Sequence, residues 1–166
     1  GLAYTSRRIR LAAMAASALA AIPVVASLPE VVQLFIEDAK RFSEDNGGAA
    51  EWVAKHAPRD AVVMIHDAGK IARIGEQRLV DLVGLKSPHS MEVHRRITYP
   101  RCKPSAEALA EIALHTKASY LVMTTRWDNA LASITTWRAL GWTIERADNE
   151  RGETYYRVYT LRPPST

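Results

Sequence analysis

From residue 11 to residue 28 the chain reads LAAMAASALAAIPVVASL, eighteen positions without a charge. As a helix rising about 1.5 Å per residue this run covers roughly 27 Å, a little under the thickness of a bilayer core. Eight of the eighteen are Ala and Pro23 interrupts them, so the run is short on bulk for a membrane span. Residues 31–42 then follow a helical period. Val31, Val32, Leu34, Phe35 and Ile36 form the apolar side, and Glu37, Asp38, Lys40 and Arg41 the polar one. Asp45-Asn46-Gly47-Gly48 has the composition of a turn or linker. The expected organisation is residues 1–45 as an apolar membrane-type helix plus an amphipathic helix, and 46–166 as a single α/β domain.

Beyond residue 48 the pattern alternates between strand and helix. Residues 49–56 predict a short helix with Trp52 and Val53 inward. Residues 61–65, AVVMI, form an apolar run of strand length, suited to burial on both faces. A helical turn is expected over 70–74 and a second strand over 78–83, closed by Gly84. Residues 85–104, with prolines at 88, 100 and 104, read as a long irregular loop. Ser105 is placed to cap a helix running to about His115, with Glu107 and Glu111 toward its N-terminal part. A third strand covers 120–125. A helix capped by Asp128 or Asn129 runs through Leu140 and stops at Gly141. The fourth and fifth strands, 142–146 and 154–161, flank the turn 148–152 and predict an antiparallel hairpin. The first three strands, separated by crossovers, are expected to be parallel. The fold class is therefore α/β: a mixed, mostly parallel sheet of about five strands flanked by helices and preceded by an apolar N-terminal helix.

Charge changes this picture only in its address. Arg7, Arg8 and Arg10 precede the apolar run, and the first acid after it is Glu30. Three readings compete for the run: a last transmembrane helix, a secretory signal with small residues near Ala26-Ser27, or a buried Ala-rich helix. A chain opening on Gly1 is expected to be a processed or excised piece. Under the first two readings positive charge stays inside, which places 29–166 on the extracytoplasmic (periplasmic) side of the cell membrane, with membrane contact through 11–28. The net charge of +4, from 22 Lys+Arg and 18 Asp+Glu, is scattered, and nucleic acid is not an expected partner. One cysteine, Cys102, excludes an intrachain disulfide and a cysteine-rich zinc site.

In an open α/β sheet, ligands bind beyond the carboxyl ends of the parallel strands. Two polar clusters fall there: His66-Asp67 after the first strand, and Thr124 to Asp128, including Arg126 and Trp127, after the third. If these strands are neighbours, both clusters open on one crevice. There a cation, an aromatic face and a helix start suit a phosphate or sugar. The plainer alternative is that Asp67 and Asp128 cap helices and His66 is a core imidazole. Asp81, inside the second strand, needs a partner, either Arg73, Arg78 or Lys86 in an ion pair, or a turn. His89, Glu92 and His94 carry ligand types for zinc, but their spacing matches no metalloprotease motif. No G-x-S-x-G elbow, G-x-G-x-x-G or P-loop occurs. No cofactor is expected.

The order of short motifs adds a resemblance. Glu51-Trp52-Val53, Ala57-Pro58-Arg59-Asp60-Ala61-Val62-Val63, His66-Asp67-Ala68-Gly69-Lys70-Ile71 and Arg78-Leu79-Val80-Asp81-Leu82-Val83-Gly84-Leu85 follow one another. Together they resemble the C-terminal extracytoplasmic domain of bacterial multi-spanning glycosyltransferases, of the protein mannosyltransferase and aminoarabinose transferase-like superfamily. The resemblance covers residues 49–88, and it departs at 70–74, where a more apolar, aromatic stretch is the family's habit. It implies a polyprenyl-phosphate-linked sugar as donor, and as partners the rest of a membrane-embedded enzyme and a lipid-linked sugar or glycan acceptor. It also implies that this chain alone is not catalytic, because the family's acidic catalytic residues lie in an early loop among the membrane helices. His66, Asp67 and Asp81 become candidate contacts by their motif positions, beside Arg126 and Trp127 from the strand-end argument. Two rival readings stand: a free-standing exported hydrolase-like or metal-dependent enzyme with its site at His66 and Asp67, and a structural interaction module.

Overall fold

A computed structural model describes residues 2–103, 105–131 and 133–165, with the backbone alone over 2–8. The chain divides into two compact units, Gly1–Arg41 and Phe42–Thr166. Helix α1 is assigned to Leu2–His56 and contains Pro23 and Pro29.

In the first unit the apolar side chains are not covered. Met14, Leu19, Val24 and Val25 are each more than 60% exposed, and Phe35 is 73% exposed. An 18-residue window of this helix has a mean hydropathy of 2.1 with none of it buried, so it is long and apolar enough to cross a membrane. The Arg7 and Arg8 side chains lie outside the described residues.

The second unit is a three-layer α/β sandwich. Its strands are β1 (Val62–Ile65), β2 (Arg78–Asp81), β3 (Tyr120–Thr124), β4 (Thr143–Arg146) and β5 (Tyr156–Arg162), in the spatial order β2-β1-β3-β5-β4. β1 pairs in parallel with β2 and β3, while β5 runs antiparallel to both β3 and β4. The sheet is thus mixed, with two parallel and two antiparallel pairings. Side chains alternate between its faces. Val63, Ile65, Val122 and Val158 pack with Ala49, Ala50 and Val53 of the end of α1 and with Ile71 of α2 (Ile71–Ile74). On the other face Met64, Val80, Leu121, Met123 and Leu161 pack against α3 (Pro88–Val93), α4 (Ala106–Thr116) and α6 (Ser133–Ala139). Burial on both faces explains why β1 and β3 are continuous apolar runs.

Three local expectations are corrected. Residues 45–48 are helix, not a linker: they belong to α1. Gly47 and Gly48 serve close approach there, since an added Cβ would come within 2.8 Å of Lys70 Nζ and 2.9 Å of Arg151 Nη2. Residues 85–104 are not irregular throughout. Pro88 starts α3 at its first turn, where a missing N–H costs nothing, and His94–Thr98 and Tyr99–Arg101 continue as π and 3-10 turns. The helix after β3 is split into α5 (Thr125–Leu131) and α6. Asp128 lies inside α5, and its Oδ1 accepts from the Ile134 N–H at 3.2 Å, so it caps α6 instead of a longer helix. The cap at Ser105 forms as expected, its Oγ accepting from the Ala108 N–H at 3.3 Å. Gly141, at φ +86°, follows α6 where the stop was placed.

Candidate functional site

β1 and β3 are neighbours, so the clusters that follow them do meet. The His66 ring lies between two aromatic rings. It stacks on Trp127 at 4.8 Å between centroids and on Tyr156 at 5.7 Å, nearly parallel to the latter at 8°. Trp127 is held there by its position in the first turn of α5, where its N–H donates to Thr124 Oγ1 at 3.2 Å. Tyr156 opens β5, opposite Thr124 in the antiparallel register. Its hydroxyl donates to Asp67 Oδ2 at 3.0 Å. The sequence pattern placed position 156 only within the fifth strand. The pairing of β5 with β3, a contact between distant parts of the chain, brings it to the site.

Burial lowers the His66 pKa from its ordinary 6.5, and the nearby Asp67 carboxylate offsets this only in part. The imidazole is therefore neutral at physiological pH, and its Nδ1 is buried without a hydrogen-bond partner. Burial also raises the Tyr156 pKa, with Asp67 adding to the effect, so the phenol keeps its proton. The Asn46 side chain bonds the same hydroxyl. Because that hydroxyl spends its proton on Asp67, Asn46 must present its amide N–H to it. Asn46 Oδ1 is left buried without a partner.

The other sequence candidates separate. Asp81 is taken up by a turn: Oδ1 accepts from the Val83 N–H at 2.9 Å and Oδ2 from the Lys86 N–H at 2.8 Å, while Ser87 Oγ accepts from the Asp81 N–H at 2.9 Å. Its partners are backbone groups instead of the side chains of Arg73, Arg78 or Lys86. Arg126 is exposed and makes no hydrogen bond or ion pair among the described residues. His89 and His94 are engaged separately. His89 stacks on His115 at 3.6 Å, and His94 bonds the Leu82 carbonyl at 2.6 Å and Thr98 Oγ1 at 2.8 Å. No group of three His, Cys, Asp or Glu side chains able to hold a metal occurs among the described residues.

One cavity borders the stack at Trp127, and a second lies at Asn46 and Gly69. An apolar one of about 180 Å³ is lined by Leu82, His94, Tyr99, Leu109, Trp127 and Leu131 among others. A more polar one of about 260 Å³ lies at the end of α1 beside Asn46, Gly69, Lys70 and Arg73. The arrangement offers the half-buried ring of Trp127, a half-buried carboxylate and unpaired acceptors. These are groups that bind and orient a polar ring.

None of the curated proteins matches the chain. Among solved structures, a protein-(glutamine-N5) methyltransferase (release factor-specific) from Alicyclobacillus acidocaldarius is similar at 13% identity, over 77% of this chain and 93% of that one, with a TM-score of 0.31. A domain family of unknown function, DUF8728, matches residues 35–159, from within α1 into β5, and the chain belongs to that family.

Proposed function

We propose that this chain is a membrane-anchored, extracytoplasmic α/β domain of a glycosyltransferase that uses polyprenyl-phosphate-linked sugar, and that it binds the glycan or acceptor without itself carrying out the transfer. The observation that carries this reading is the uncovered apolar window of α1, in the same chain as a crevice of aromatic rings and a carboxylate. The motif order over residues 49–88 supports it. The arginines before the apolar run orient residues 29–166 outward by the positive-inside rule. Trp127, half-buried, supplies a face for the C–H side of a sugar ring, and Asp67 accepts from its hydroxyls.

Membrane partition of the natural product, with protease added from outside, tests the reading. Retention in the membrane with external cleavage within residues 49–166 is the expected result. A freely soluble product with residues 11–42 intact overturns it.

A further inference from the structure

Around Gly69 the structure leaves two oxygen acceptors facing one spot. A Cβ placed on Gly69 would lie 3.3 Å from Asp67 Oδ1 and 3.6 Å from Asn46 Oδ1. Asn46 is only 3% exposed, and its Oδ1 has no partner. A buried amide oxygen left unpaired carries a desolvation cost, which a ligand's donor would relieve. Asp67 has its other oxygen occupied by Tyr156, so Oδ1 is the one turned to the spot. Gly69 and Asn46 both line the pocket of about 260 Å³, and so do Lys70 and Arg73. Lys70 is shared with Glu51 at 2.8 Å, while Arg73 makes no ion pair among the described residues. One end of the pocket thus asks for hydrogen-bond donors and the other offers positive charge.

We infer that this pocket binds a small hydroxylated anion, with hydroxyls donating to Asn46 Oδ1 and Asp67 Oδ1 and the anionic group meeting Arg73 and Lys70. Sugar phosphates and sugar acids share this chemistry. The volume of about 260 Å³ is of the scale of one monosaccharide with its charged group. A hydroxyl fits the acceptor pair because it donates without bringing a second formal charge. The inference deepens the sugar-facing reading above and rests on it for the choice of a hydroxylated ligand, since both use Asp67.

Calorimetric titration of the full chain in lipid nanodiscs tests it, with glucose 6-phosphate, glucuronate, glucose and inorganic phosphate as probes. Glucose 6-phosphate or glucuronate is expected to bind at least about tenfold more tightly than glucose or phosphate. Which of the two does so tells a phosphate ligand from a carboxylate one. Arg73→Gln should cut that preference to the level of glucose, and Gly69→Val should abolish binding of every hydroxylated probe, with unfolding midpoints unchanged. Arg73 and Gly69 are both exposed, so neither variant threatens the core. The inference is overturned if the hydroxylated anions bind no better than phosphate or glucose, or if both variants bind like the parent. A failed titration on a chain that is still membrane-retained and cleaved from outside removes this pocket and leaves the topology standing. A successful titration on a soluble chain supports the pocket and removes only the membrane reading.

Discussion

Two buried polar clusters lie on the same sheet and are finished differently. At the β4–β5 turn Asp148 is fully buried. Its Oδ1 accepts from Arg146 Nε at 3.0 Å and its Oδ2 from Arg151 Nη1 at 2.7 Å. Arg151 also donates to the carbonyls of Tyr156 at 3.1 Å and Asp45 at 3.0 Å. Both carboxylate oxygens are used, and the knot ties the end of α1 to the hairpin. At the carboxyl ends of β1 and β3, His66 Nδ1 and Asn46 Oδ1 are just as buried and have no partner. The knot leaves no carboxylate oxygen open, whereas the crevice leaves bonding capacity that a ligand can complete.

The largest expected effect tests the finished cluster. Asp148→Ala leaves two guanidinium groups, each under a fifth exposed, without their carboxylate. Removing one partner of a buried ion pair costs about 3–5 kcal/mol. Tyr156→Phe at the other cluster keeps the ring stack and loses one hydroxyl bonded to a carboxylate, at about 1.5–3 kcal/mol. Urea unfolding of the full chain in detergent, followed by tryptophan fluorescence, measures both, because all four tryptophans lie beyond residue 50. Equal losses in the two variants would break the comparison, since the crevice would then be as structural as the knot.

The knot and the crevice were not equally legible. The strand-end clusters His66-Asp67 and Thr124–Trp127 were readable because parallel strands are continuous apolar runs, and their polar ends announce themselves. The knot was not. Asp148-Asn149-Glu150-Arg151-Gly152 has the composition of any turn, and nothing local says that Asp148 turns inward between two arginines. Gly47-Gly48 misled for a related reason. Paired glycines usually break a helix, but these sit under the side chains of Lys70 and Arg151, which come from residues 22 or more positions away. Asn46 and Tyr156 reach the site only through the packing of the end of α1 and the pairing of β5.

That misreading yields a paired test of intermediate size. In a helix interior Gly→Ala ordinarily gains about 0.5–1 kcal/mol. At Gly47 the nearest atom is the far end of the Lys70 side chain, which can swing aside, so Gly47→Ala should keep most of that gain. At Gly48 the nearest atoms belong to the Arg151 guanidinium, held by Asp148 and two carbonyls. It cannot retreat without breaking the knot, and Gly48→Ala should lose about 1–3 kcal/mol, as overpacking does. The same unfolding experiment reads both signs. A gain at both positions would mean that Arg151 is free to move and that the knot is looser than its hydrogen bonds indicate.

The smallest expected effect concerns pH and sharpens the crevice side of the comparison. Burial holds the folded-state pKa of His66 below its ordinary 6.5, whereas in the unfolded chain it returns to that value. Above about pH 7 neither state carries the proton, and His66 contributes no pH dependence. As pH falls through 6.5 the unfolded chain takes up a proton that the folded chain refuses, so stability declines, and the decline ends only once pH passes below the folded pKa. His66→Phe keeps a ring between Trp127 and Tyr156 and removes the titration. Other groups titrate in the same range, so the quantity to measure is the difference in unfolding free energy between parent and variant at pH 7.5 and at pH 5.5. That difference should shift against the parent on acidification. Constancy across the interval would show that His66 titrates alike in both states, as an imidazole open to water would.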